Sequence, residues 1–238
     1  LGATLASLID LTPPSGQLPD PRLASITVHQ TLQHLGGWDR DLTFDPMFDD
    51  AGIAATLGLK LPISRTDIVR FMSGQLLSHD PGTTYSYSNY GYLLLGRVIE
   101  AASGMTYPRY VQDHVLAPLG ITGMRQGHSL LADRAPREVA YTSKFKGTTV
   151  VDNSGTVVPL PYGGFNLENM QAHGAWIASA VDLARLRDYI GRLRERLQHV
   201  GRRGDFRKFL RIGRADIDQC FQRAVGGLPQ AKLAGGQR

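Results

Sequence analysis

A chain of 238 residues that is 42% hydrophobic can bury a sizeable core, which excludes disorder as the reading of the whole molecule. Its single cysteine, Cys220, cannot form an internal disulfide, and it has no redox or metal spacing around it. The net charge of +5 is uneven: residues 185–238 hold 14 Lys+Arg against 5 Asp+Glu, a surplus of +9, while residues 1–184 carry −4.

In chain order, LASLIDL reads as an extended segment, and the Pro- and Gly-rich TPPSGQLPDPRL after it as a surface loop. Ser25 or Thr27 can cap a short helix with Val28, Leu32 and Leu35 on one face and Gly36 as its stop. A loop from Trp38 to Pro62 follows, with a helical turn possible in AGIAATLG. Thr66 is then expected to cap TDIVRFMSGQLL, whose apolar stripe is Ile68, Met72 and Leu76.

The polar stretch SHDPGTTYSYSN turns at Pro81-Gly82 and leads into a strong helix, YGYLLLGRVIEAAS, ended by Gly104. Thr106 opens a helix through Val115, stopped by Pro118 and Gly120. REVAYTSKF and TTVVDNSGTVVPL alternate in the strand manner about Asp152, Asn153 and Gly155, which gives hairpin character. Ser179 and Asp182 form a capping box before a helix in which Leu183, Leu186, Ile190, Leu193 and Leu197 fall at alternating spacings of three and four. No run reaches the ~18 apolar residues of a membrane span, YLLLGRVIEAASG being broken by Arg97 and Glu100. The first residue is Leu1, and LGATLASLIDL lacks the features of a signal peptide, so further residues are expected upstream.

PGTTYSYSNYGYLLLGRVIEAASGMTYPRYVQDHVLAPLGITGM resembles the central stretch of the serine β-lactamase and penicillin-binding-protein superfamily, which includes esterase- and D-alanyl-D-alanine carboxypeptidase-like members. ITVHQTLQHLGGWD is similar to that family's ITVRHLLTHTSG helix, and HGAWIASAVDLARL to its Gly-rich loop and S-x-x-DLAR helix. All three occur in the family's order, so the resemblance covers roughly residues 5–187. It implies an α/β (α+β) fold of the β-lactamase/transpeptidase type, here a helical subdomain plus an incomplete antiparallel sheet. Residues 1–186 would be the central part of the hydrolase domain, and 187–238 a basic C-terminal segment of separate character. An antiparallel sheet short of its outer strands exposes edges, so the isolated chain is expected to be marginal or aggregation-prone.

The resemblance also implies a chemistry. Such enzymes acylate a serine, a poor nucleophile unless a base takes its proton. Tyr87 would be that base or the proton shuttle, a role for which a phenol, ordinarily near a pKa of about 10, needs a neighbouring cation. Asn89, with an amide donor and a carbonyl acceptor, would orient the lysine of Ser-x-x-Lys and bind the substrate carbonyl, and Ser88 would fix the loop. The substrate class the resemblance implies is a small ester, β-lactam or peptide-like amide, with no cofactor, no metal and no membrane span expected.

The nucleophile motif itself is not found where the family has it. Ser143-Lys144-Phe145-Lys146 matches Ser-x-x-Lys, but in strand-like sequence after the tyrosine motif, and a pattern this short arises by chance. No Lys-Thr-Gly triplet occurs, and His199-Val200-Gly201, which fits the alternative His-x-Gly, follows a helix instead of lying on a strand. His34 and His173 fall in matched segments as structural histidines. The chain is therefore expected to be an inactive part of a serine hydrolase. The alternative is a non-catalytic binding protein whose basic tail, with Phe206 and Phe209, contacts nucleic acid or a partner, with nucleic acid the less favoured.

Overall fold

The computed structural model describes residues 1–202, and the chain divides into two compact units. The first comprises residues 1–98 and 126–176, the second residues 99–125 and 177 onward. The chain passes between them within helix α4 and at the two-residue strands β1 (Arg125–Gln126) and β4 (Trp176–Ile177).

The first unit holds most of the described helices. Helix α1 (Val28–Leu32) starts at Thr27, whose hydroxyl accepts the Gln30 N–H at 3.1 Å while the Gln30 side chain accepts the Thr27 N–H at 2.9 Å. Helix α2 (Asp50–Leu57) is capped by Asp49 and ends on Gly58 in the left-handed region. Helix α3 (Arg65–Ser73) begins two residues earlier than a Thr66 cap implies: Ser64 is its cap, because Asp67 three residues on closes a capping box with it. Helix α4 (Asn89–Ser103) presents Tyr90, Leu93 and Leu94 to the interior, where they join Leu5, Ile26, Met47, Ile53 and Ile68, all at most 3% exposed.

Leu5–Ser7 is a turn of 3-10 helix instead of the expected extended segment. The extended character resides one residue earlier, where Thr4 bridges Thr27, and it places Leu5 in the core with its N–H on the Ile26 carbonyl at 2.8 Å. Strands β2 (Lys146–Thr148) and β3 (Val157–Pro159) form the expected hairpin, antiparallel with Gly147 opposite Val158. Residues 137–145, which alternate like a strand, form no strand. Helices, one hairpin and short strands make a mixed α/β fold in which the sheet is the smaller part.

In the second unit, helix α5 (Tyr107–Val111) runs through a π-helical turn, Gln112–Leu116, to Gly120. Helix α6 (Ala180–Arg202) starts after Ser179 as expected: the Asp182 N–H donates to the Ser179 hydroxyl at 3.1 Å, and the Asp182 carboxylate accepts from that hydroxyl, at 2.8 Å, where the capping box called for the Ser179 N–H. Phe206, Phe209 and Cys220 lie outside the described residues, as does the side chain of His199. No described helix is long and apolar enough to cross a membrane.

Candidate active site at the Tyr87-Ser88-Asn89 loop

Two backbone devices bring the loop to the end of α1. Gly37 has φ +95°, and its carbonyl accepts the N–H groups of both Ser78 and His79 at 2.9 and 3.1 Å. A Cβ at Gly37 would lie 2.5 Å from the His79 carbonyl oxygen, so only glycine fits there. His34, itself left-handed at φ 59°, accepts the Ser86 N–H on its carbonyl at 3.0 Å.

Ser88 is buried and caps α4: its hydroxyl accepts the Gly91 N–H at 3.0 Å. Its own N–H donates to His34 Nδ1 at 3.1 Å, which makes Nδ1 an acceptor and puts the ring proton on Nε2. Burial pushes the His34 pKa down, in keeping with a neutral ring. Tyr85, Tyr87 and Tyr92 surround that ring, with centroids at 5.6, 4.7 and 4.9 Å. His34 is thus the packing centre of the loop.

Asn89, 7% exposed, is fixed by a 2.6 Å hydrogen bond from its Nδ2 to Asp45 Oδ2. The other Asp45 oxygen accepts the Met47 N–H and caps the turn Pro46–Phe48, so the carboxylate cannot rotate without losing one bond or the other. Arg40 completes the group. Its Nη1 lies 3.4 Å from Asp45 Oδ2, and its guanidinium carbon stands 4.8 Å from the centroid of the Tyr87 ring. Tyr87 is 45% exposed, so the ring meets solvent as well as the cation.

Arg40, Asp45, Ser88 and Asn89 line one cavity of about 270 Å³, with Trp38, Phe44, Met72 and Tyr90 forming its apolar wall. Asp39 lies on its rim. The His79 ring bonds its carboxylate at 3.0 Å, the Ser86 hydroxyl donates at 3.0 Å, and chiefly through His79 the Asp39 pKa falls to about 2. His173 titrates near 4 because burial disfavours its charged form, an effect the Asp45 carboxylate opposes. Its Nε2 is buried with no hydrogen-bond partner among the described residues.

Arg40 and Asp45 escaped the sequence reading because their significance depends on a loop folding back upon Tyr87 and Asn89. The one local signal was Asp45-Pro46, an Asx cap before a proline-started turn. Ser143 is placed in a turn of its own: its hydroxyl accepts the Phe145 N–H at 3.0 Å, and Lys146, three residues on, belongs to the exposed hairpin. Among the described residues no group of His, Cys, Asp and Glu is arranged to hold a metal ion.

The β-lactamase family model matches residues 8–214, most of the chain, and the chain belongs to that family. A penicillin-binding protein homologue of Pyrococcus abyssi, solved as an octamer, superposes with a TM-score of 0.51 at 26% identity over 81% of this chain and 39% of its own. The penicillin-binding protein of Bacillus halodurans shows the same fold at a TM-score of 0.50 and 20% identity, covering 80% of this chain and 51% of its own. Among curated proteins, one of Dichelobacter nodosus named as the fimbrial assembly protein FimD of serogroup D is 33% identical over 147 residues, 61% of this chain and 32% of its own length. An Escherichia coli K12 protein named as a D-alanyl-D-alanine carboxypeptidase is 26% identical over 118 residues, 50% of this chain and 25% of its own. The chain thus spans about a third or less of the length of these curated relatives.

Proposed function

We propose that Tyr87 and Asn89, supported by Ser88, are one half of the active site of a serine hydrolase that forms an acyl-enzyme with a small ester, β-lactam or peptide-like amide. In this reading residues 1–186 are the central part of the hydrolase domain, 187–238 are a basic segment of separate character, and the nucleophile is supplied by a Ser-x-x-Lys outside this chain. The chain alone is inactive. The observation that carries the proposal is the shared cavity: Asn89 lines it, and so does Arg40, the residue that covers the Tyr87 ring.

The bond to Asp45 engages one of the two amide hydrogens of Asn89 and fixes the amide plane, leaving Oδ1 and the second N–H for a ligand. An acceptor and a donor held at set positions suit a lysine ammonium on one side and a carbonyl oxygen on the other. A serine reaching the cavity would lose its proton as its oxygen bonds to the substrate carbonyl carbon; Tyr87 would take that proton and return it to the leaving group.

The test is to express the chain together with the residues its gene encodes upstream of Leu1. A chromogenic β-lactam or p-nitrophenyl ester is expected to turn over in the extended protein, and the rate to fall by about 10²-fold or more in Tyr87→Phe. An extended protein whose turnover is indifferent to both Tyr87→Phe and Asn89→Ala would overturn the assignment.

A further inference from the structure

The cavity that Asn89 lines is charged in part and apolar in the rest, and its apolar wall is set by the core behind it. The Trp38 indole lies against Gly36, where a Cβ would come within 2.3 Å of its Cζ3, and stands edge-on to the Tyr90 ring with centroids 5.1 Å apart. Phe44 meets Phe71 in the same manner at 6.1 Å, and Met72 is buried on α3. A wall held this way is preformed. An apolar cavity of about 150 Å³ is enough for benzene. One of about 270 Å³ therefore has room for an aromatic ring and the short chain that carries it.

The charged groups of the cavity are already engaged. Asp39 Oδ1 accepts the N–H groups of Asp41 and Leu42, and its Oδ2 bonds His79 and Ser86. Asp45 serves Met47, Asn89 and Arg40. Arg40 is shared among Asp45, Asp41 at 3.9 Å and the Tyr87 ring. A cationic ligand group would have to draw one of these carboxylates from its donors. An anionic one would have to draw Arg40 from its carboxylates and lie beside Asp39 and Asp45. Either also loses its own hydration on entry. An uncharged apolar group disturbs none of these bonds and exchanges water for Trp38, Phe44 and Met72.

We infer that this cavity is a specificity subsite for an uncharged apolar group, an aryl ring above all, carried beside the reacting carbonyl of the substrate. The inference rests on the acyl-transfer reading, in which Asn89 binds that carbonyl, and it names the substituent that lies next to it. Trp38, Phe44 and Met72 set the preference.

The test titrates the full chain with four amides that differ only in one group: acetamide, phenylacetamide, glycinamide with its ammonium and malonamate with its carboxylate. Tryptophan emission reports binding, because Trp38 is one of only two tryptophans and forms the wall. Phenylacetamide is expected to give a saturable change, half complete at a concentration about tenfold or more below that of the other three. The change should vanish in Trp38→Phe. Phe44→Ala, which widens the cavity, should move the preference from phenylacetamide toward 1-naphthylacetamide, a gain that a misfolded variant cannot produce. Asn89→Ala should weaken phenylacetamide and acetamide by a similar factor and keep the lead of the first. The subsite is overturned if acetamide, glycinamide or malonamate binds as tightly as phenylacetamide, or if Phe44→Ala leaves the naphthyl preference unmoved, even where Tyr87→Phe abolishes turnover in the extended protein. Conversely, a phenyl preference in a protein whose extended form turns nothing over would sink acyl transfer and leave the aryl subsite standing.

Discussion

The surroundings of α4 and of α6 differ in how far they bury apolar side chains. Around α4 the apolar residues are buried and the polar ones are consumed by caps: Leu94 is fully inside, and Ser88 is spent on the Gly91 amide. On α6 Leu183 and Ile190 are more than half exposed, Leu186 and Leu193 are only half-buried, and Asp182 is spent on the cap. Burial of apolar surface is what stabilises a helix of this length, so α4 draws more stability from its apolar residues than α6 does.

That contrast can be broken by substitution. Leu94→Ala, which opens a void in the core of the first unit, should cost about 2–5 kcal/mol in urea denaturation, whereas Ile190→Ala should change stability by no more than about 0.5 kcal/mol. Comparable losses at the two positions would show that α6 is as well packed as α4.

Asp50 tests the first unit in a second way, because its carboxylate is buried there and burial of a charge has a cost. Desolvation raises its pKa from 3.8 to about 6, against the Asn169 amide whose Nδ2 lies 3.4 Å from Oδ1. Protonation favours the folded state, so its contribution is fully present below pH 3.8 and is lost as pH rises through about 6. Asp50→Asn is then expected to stabilise the protein by roughly 2–3 kcal/mol above that range and to change little at the acid end. Thermal melts across pH would reveal the difference, and an equal effect at both ends would contradict it.

Smaller effects belong to the site loop. Asp45→Ala removes a cap, the Asn89 bond and one of the partners of Arg40, and should cost about 1–2 kcal/mol. Ser88→Ala, which loses only the α4 cap, should cost about 1 kcal/mol, measured by the same melts.

Much of this was legible in the chain itself. Local signals sufficed for α4, for the Asp182 capping box and for the turn at Asn153, since each depends on residues within a few positions of one another. They failed where tertiary contacts decide. Leu5 sits in a strand-like run, yet its backbone is set by Thr4 pairing with Thr27, more than twenty residues away. The start of α3 was a missed local signal: Ser64 is the cap because Asp67, three residues on, closes a capping box with it. At the site, Tyr87, Ser88 and Asn89 stood out through family resemblance, while Arg40 and Asp45, which hold them, come together with them only after the loop folds back. The mixed α/β fold and the β-lactamase family followed from the three ordered segments.

The account rests most on the chain holding the tyrosine half of an active site without its nucleophile. Treatment of the purified 238-residue chain with a fluorescent penicillin or a fluorophosphonate, followed by mass spectrometry, tests that directly. We expect no serine to be acylated. An adduct on a serine of this chain that disappears in Tyr87→Phe would show that the nucleophile is already present and would contradict the account.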